Sequence, residues 1–309
     1  MTAFLNVLPK TVAQGILWGI MAIGVYITFR ILDYADMTVD GSICTGMAVC
    51  ALMSNGGYPI WLAIICATLA GMAAGFLTGI FHSALGIPAI LSGILTQMIL
   101  WSVNLKLAGS FLFVKKDYAF MSASQISTTL LFLAIFVIVL IAILYRFFGT
   151  ELGASIRATG TNPRMSCAQG ININSMKILG LVISNGIVAL AGSLFSLYNG
   201  SYGVDYGRGA IVTGLAAVII ADALFSWTAK LKFAFAIKLF TIVCGGIIYY
   251  LVYQAVLMIV FDANLLKMLS AIIVALFLAF PHLKNKYFKK YFKNFKNYFN
   301  RKKGGNKNA

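Results

Sequence analysis

Long apolar runs recur along this chain, and they constrain its fold more than any other feature. Nine stand out, at about residues 11–29, 37–54, 58–80, 87–105, 128–148, 173–198, 208–226, 234–258 and 264–281. A run of about 18 apolar residues or more is long enough to cross the hydrocarbon of a bilayer as a helix. Lipid offers no water to the backbone, so each segment must pair its own N–H and C=O groups. The expectation is an all-α, polytopic transmembrane bundle of about nine spans (eight to ten). The second and seventh runs are short and open on Gly and polar residues, which predicts broken or tilted helices. Composition agrees: 61% of residues are hydrophobic, 10% are charged and mean hydropathy is +0.90. That is too little charge to wet the surface of a soluble domain of this length. The first run continues into Phe29 and Arg30 with no small-residue cleavage site, so it reads as a retained span.

The net charge of +16 is concentrated. Residues 282–309 hold ten of the 24 Lys and Arg and no acid, which leaves fourteen basic against eight acidic residues elsewhere. Positive residues favour the cytoplasmic side. That places the tail and the 145–177 loop, with Arg146, Arg157, Arg164 and Lys177, in the cytoplasm. Two spans then separate this loop from the 227–233 loop, and five precede it, so the N-terminus is expected outside. Lys106, Lys115 and Lys116 run against that assignment. In the tail, Tyr287, Phe288, Tyr291, Phe292, Phe295, Tyr298 and Phe299 alternate with lysines at helical spacing. This pattern suits the headgroups of an anionic leaflet better than a nucleic acid. Cys44, Cys50, Cys66, Cys167 and Cys244 show no CxxC spacing and read as small hydrophobes, with no metal or other cofactor implied.

The sequence also matches itself at an offset of 168 residues. Gly41-Ser-Ile-Cys-Thr-Gly-Met-Ala-Val49 aligns with Gly209-Ala-Ile-Val-Thr-Gly-Leu-Ala-Ala217, with five of nine positions identical. Each copy follows a long span and a linker with acid and tyrosine: Tyr34, Asp36 and Asp40 in one, Asp205 and Tyr206 in the other. A fainter echo joins 90–95 to 268–273. Repeat halves of about 11–106 and 173–281 are expected, separated by an odd number of spans and therefore inverted. Inverted repeats belong to transport proteins, whose halves rock about a path near the midplane. Gly71, Gly75 and Gly79 form a double GxxxG, read as helix packing and not as a ligand contact.

Between the fifth and sixth runs lies a segment without lipid-spanning character, at 149–171. Its spacing predicts two short helices. The first runs from about Glu151 to Thr159 and stops at Gly160. The second has Asn162 as N-cap and Pro163 at its first position, and Gly170 ends it. Arg157 and Arg164 give it a basic face that another protein could grip.

Arg157-Ala-Thr-Gly160, with Asn162 and then Ala168, Gly170 and Ile171, resembles the coupling segment of ABC permeases of the branched-chain amino acid and ribose type. Phe29-Arg-Ile-Leu-Asp33, Thr38-Val-Asp-Gly-Ser42 and Gly86-Ile-Pro-Ala-Ile-Leu-Ser-Gly-Ile-Leu95 narrow the likeness to a subgroup linked to aromatic amino acids such as tryptophan and tyrosine. The resemblance covers residues 1–281 as one permease domain and leaves the 282–309 tail outside. It implies a permease dimer in a bacterial plasma membrane, cytoplasmic ATPase subunits and an external solute-binding protein. It also implies that Glu151, Ser155, Ile156, Arg157, Ala158, Gly160, Asn162, Arg164 and Gly170 meet the ATPase. No GxxxxGK[ST] occurs in the sequence, so ATP would be hydrolysed by the partner and this chain would not be an enzyme.

Charge near a span is costly and marks candidate functional positions. Asp40, Asp205, Arg208 and Asp222 lie at span ends, and Asp205 is placed to pair with Arg208. Asp40, Thr45, Asp205, Tyr206 and Thr213 flank the repeated segment and are candidates to line a translocation path. An ion-coupled secondary transporter is the alternative. It calls for a carboxylate or histidine deep in a span, where the sequence offers Asn104, Asn185 and Gln254 instead. A membrane enzyme would need clustered acids, bases or metal ligands, whereas His82 and His282 stand alone.

Overall fold

The computed structural model describes residues 2–114, 126–224 and 234–259, together with 268, 271, 272 and 275. Those four positions apart, the ninth apolar run lies outside the described residues, as do the 227–233 loop and the basic tail. Ten helices are described: α1 Thr2–Tyr26, α2 Val39–Asn55, α3 Ile60–Ser83, α4 Ala89–Ala108, α5 Ile126–Phe148, α6 Glu151–Thr161, α7 Pro163–Ala168, α8 Ile173–Asn199, α9 Ala210–Leu224 and α10 Ala234–Ile259. Two short strands, β1 Phe111–Phe113 and β2 Ser201–Gly203, pair antiparallel and tie the end of α4 to the end of α8.

Six of the described helices are long and apolar enough to span a bilayer: α1, α3, α4, α5, α8 and α10. The second and seventh runs are the exceptions. Helix α2 has 17 residues and α9 has 15. At 1.5 Å per residue they reach about 25 and 22 Å, less than the roughly 30 Å of a hydrocarbon core. The nine apolar runs are therefore not nine equal spans among the described residues.

Burial sorts the long helices. In α1 and α8, 78% and 72% of the most apolar window is buried, against 22% in α5 and 28% in α3 and in α4. Trp61, Ile65, Leu69 and Phe76 on α3 and Leu131, Ile135 and Ile138 on α5 stay exposed at helical spacing. Such a stripe is what lipid solvates. The contact of α3 with the buried α8 is closed by small residues. A side chain at Gly71 or Gly75 would enter the backbone of α8 at Asn185 or Leu181, and one at Gly79 would come within 3.1 Å of the Ile178 Cα. The double GxxxG thus lets α3 and α8 touch backbone to backbone, as the spacing predicted. Gly46 of α2 and Gly192 of α8 do the same on the other side, against Ala189 and Ile43.

Contacts between helices give their directions. Helix α1 runs against α8, with the Tyr198 hydroxyl donating to Lys10 O at one end and Leu32 packed on Gly180 near the other. Arg30, Arg146 and Lys177 share that second, basic end with α6 and α7. After a π-helical turn at Ile27–Ile31, the chain reverses at Asp33, whose φ of +53° is left-handed. Residues 34–38 climb back into the bundle. Helix α2 then starts beside Asn185, midway along α8, and runs to the strand end, where Asn55 donates to Phe113 O at 2.8 Å. Beyond β2, residues 204–209 descend to the same depth, and α9 runs from there to the basic end. The two short helices thus begin side by side inside the protein and leave in opposite directions.

Candidate functional site

Three features occupy the axis from the basic end to mid-depth. At the basic end, α6 and α7 form a rigid elbow. The Thr150 hydroxyl accepts from the Gly153 N–H at 3.4 Å, and the Asn162 carboxamide accepts from the Met165 N–H at 3.1 Å with Pro163 next to it. The second cap is the predicted one. Gly170 follows α7 with a φ of +82°, a conformation that suits glycine and stops the helix. Gly160 departs from expectation: α6 runs through it to Thr161. Its role is close approach, because a Cβ there would collide with the carbonyl of Ile31 and press on Leu32. The elbow is therefore seated on the Ile27–Ile31 turn that follows α1. Arg157 is exposed, yet its guanidinium donates to Phe148 O at 2.9 Å and secures the end of α5. Glu151, Arg164, Leu152 and Met165 are exposed. Ala158 and Ser155 are half-buried, and Ile156 is fully buried and anchors α6 to the bundle.

Above the elbow is a buried polar junction. Asp36 accepts from the Thr38 N–H at 2.9 Å and from the Asn185 amide at 2.7 Å. Ser42 donates to the Asn185 carbonyl oxygen at 2.6 Å, and the Thr38 and Thr78 hydroxyls share a bond of 2.7 Å. The Tyr34 hydroxyl meets Ser92 at 2.7 Å. Four elements (the 34–38 segment, α2, α3 and α8) are pinned together, with α4 held through Tyr34. Asp36 is 2% exposed, a buried carboxylate that the sequence reading placed in a linker. The signal was present as Asp36 two residues before Thr38, an arrangement in which a carboxylate accepts from a nearby backbone N–H.

The third feature is a cavity of about 510 Å³ between α2, α4 and the 204–209 segment. Asp40, Gln97, Met98, Trp101, Asn104 and Arg208 are among its lining residues. Asp40 caps α9 across the repeat, accepting from the Gly209 and Ile211 N–H groups at 2.9 Å each. A carboxylate is favoured at a helix N-terminus, where free N–H groups and the dipole meet it. Asp205 pairs with Arg208 Nε at 2.9 Å, as the spacing predicted. Of the other path candidates, Thr45 sits behind Asn104 and accepts from its amide at 3.1 Å. Tyr206 and Thr213 lie elsewhere: Tyr206 stacks edge-on with Phe111, and Thr213 bonds back to Gly209 O. Gln97, Trp101 and Asn104 were not among the sequence candidates for the path. They fall on one face of α4, and only the fold puts that face opposite Asp40.

Asp222 at the end of α9 pairs with Arg30 at 3.3 Å and with Lys238, tying α9 to α1 and α10 at the basic end. Among the described residues no three His, Cys, Asp or Glu cluster as a metal site.

Comparisons with known proteins agree with this architecture. A family model described as "Branched-chain amino acid transport system / permease component" matches residues 8–287. A tyrosine transport system permease protein of Clostridioides difficile is 38% identical over 276 residues, covering 89% of this chain and 91% of that one. An uncharacterized protein of Rickettsia prowazekii is 29% identical, over 87% of this chain and 96% of its own length. The autoinducer 2 import system permease protein of Salmonella typhimurium is more distant, at 27% identity over 59% of this chain and 54% of that protein. No solved structure matches the chain. The apolar spans, the capped elbow between α5 and α8 and the family match converge: the chain is a multi-pass membrane protein that belongs to the branched-chain amino acid transport system permease family.

Proposed function

We propose that this chain is the membrane-spanning subunit of an importer for a small solute of the amino acid class, an aromatic one included, driven by ATP hydrolysed on a separate cytoplasmic subunit. The observation that carries the reading is the seat of α6 on the π-helical turn that follows α1. Gly160 lies against the Ile31 carbonyl, so a push on the elbow reaches the 34–38 segment and the Asp36 junction without slack. Exposed Leu152 and Met165 beside Arg164 and Glu151 suit burial by an ATPase surface. The similarity to a tyrosine transport permease supports the solute class.

In this reading the basic end faces the cytoplasm, in keeping with Arg146, Arg157, Arg164 and Lys177, and the N-terminus starts outside. The extracytoplasmic binding protein would meet the strand end, and two copies of the chain would enclose the path. The 282–309 sequence would rest on the anionic cytoplasmic leaflet. Helices α2 and α9 are the central elements of two inverted halves. Their matched sequences, adjacent starts and opposite directions support that. Discontinuous helices meeting near mid-depth are where transporters place solute. Asp40, Thr45, Asp205 and Arg208 would then bound the path, with Asp40 as the joint between halves.

The test is co-reconstitution with the ATPase and binding-protein partners in proteoliposomes. Internal ATP should drive solute uptake, and ionophores should leave it unchanged. Gly160→Leu should lower uptake while ATP hydrolysis continues. One observation favours ion-coupled secondary transport instead, the buried Asp36 carboxylate. Uptake driven by a proton or sodium gradient without any ATPase, and lost in Asp36→Asn, would establish that reading and defeat the first.

A further inference from the structure

We infer that the 510 Å³ cavity is a solute-recognition subsite within the permease itself, built for a zwitterion with an apolar or aromatic side chain. The inference rests on the transport reading above and adds to it which groups recognise which part of the solute.

Asn104 is the starting point. It is 0% exposed, and its Oδ1 has no hydrogen-bond partner among the described residues. The orientation of the amide is fixed by its neighbour. Thr45 gives its hydroxyl proton to Gly41 O at 3.0 Å, so towards Asn104 it can only accept. Asn104 must therefore present Nδ2 to Thr45, and Oδ1 is left as an open acceptor. A buried acceptor with no donor is costly, and such atoms mark places where a ligand supplies the missing group. Among the described residues four other buried side chains carry an unpartnered polar atom, and of the five Asn104 alone lines this cavity.

The remaining lining supplies the other half of the recognition. Arg208 is held through Nε by Asp205, which leaves its two terminal nitrogens for a carboxylate. Asp40 lies on the Arg208 side of the lining, where the Gly209 and Ile211 N–H groups occupy its carboxylate, so the ammonium falls to Asn104 Oδ1. Trp101, Met98 and Ile94 form an apolar wall, with Trp101 41% and Met98 63% exposed. A neutral polyol would satisfy Asn104 but leave the Trp101 wall and Arg208 unused. A volume of about 510 Å³ is within the usual range for a small-molecule site.

The experiment uses the full-length chain in lipid nanodiscs and equilibrium dialysis against four radiolabelled probes: L-tyrosine, tyramine, 3-(4-hydroxyphenyl)propionate and D-ribose. L-tyrosine should bind saturably, with each single-charge analogue weaker by about tenfold or more and ribose weakest. Asn104→Leu should bring L-tyrosine down to the level of the propionate, and Arg208→Gln should bring it down to tyramine. Asn104→Ser, smaller and still polar, gives the same comparison if the leucine variant fails to fold. The inference is overturned if L-tyrosine binds no better than either analogue, if ribose binds best, or if the variants weaken every probe by one factor. ATP-driven uptake in the reconstituted system with no such group preference would remove the subsite and leave the transport reading standing. Group-selective binding in a chain that transports without an ATPase would do the opposite.

Discussion

Two polar regions lie within a few helical turns of each other on either side of α2, and they are finished differently. At the Asp36 junction the carboxylate, the Asn185 amide and the hydroxyls of Ser42, Thr38 and Thr78 have partners at 2.6–2.9 Å. At the cavity, Asn104 is buried to the same degree yet keeps one acceptor open, and Arg208 is only partly engaged. A closed network rigidifies the elements it joins, while an incomplete one in a cavity invites a ligand. Under the proposed transport function, the junction would carry force and the cavity would recognise solute.

The contrast can be broken most severely at Asn185. Asn185→Leu would strip Asp36 and Ser42 of a partner in one step and leave the buried carboxylate to Thr38 alone. The expected loss is about 3 kcal/mol or more, read as a steep fall in thermal stability in detergent. An Asn185→Leu chain as stable as the parent would show that the junction holds nothing together. Next comes Gly75→Leu, which forces α3 away from the Leu181 carbonyl and should cost about 1–3 kcal/mol by the same measurement. Gly75→Ala would be milder if α8 can yield.

Asp40 ties the cavity to the second short helix, since it lines the cavity and caps α9. Asp40→Ala removes two N–H acceptors from the start of α9 and should cost about 1–2 kcal/mol. Amide hydrogen exchange should rise selectively at Gly209 and Ile211; unchanged protection there would detach Asp40 from α9. The smallest effect on stability is expected for Arg208→Gln. Its ion pair is 57% exposed on both sides, and such pairs contribute about 1 kcal/mol at most. That variant should melt close to the parent and still change solute preference, which separates recognition from folding more sharply than any other change.

Some of this was legible from residue types alone. The alternation of Asn162, Pro163 and Gly170 fixes α7 because a carboxamide cap, a prepared φ and a left-handed stop act within a few residues. The double GxxxG announced close helix contact for a similarly local reason, though not that α8 was the partner. Asp205 and Arg208 pair at a spacing of three. Gly160 looks like a helix stop in sequence but serves as a contact residue, since glycine suits both roles. The choice between these depended on Ile31, 129 positions away in the chain.

The sequence by itself determined that this is a bundle of apolar helices, that two of them are too short and too polar at their starts to be ordinary spans, and that a capped elbow interrupts the bundle. Each follows from hydropathy, length and capping chemistry, which act between near neighbours. Only the tertiary structure decided that Asp36 is buried, that Asp40 crosses to α9, and that the Gln97, Trp101 and Asn104 face of α4 looks onto a cavity. Those facts depend on which distant backbone comes within hydrogen-bond reach, and such proximity is set by how the helices pack together.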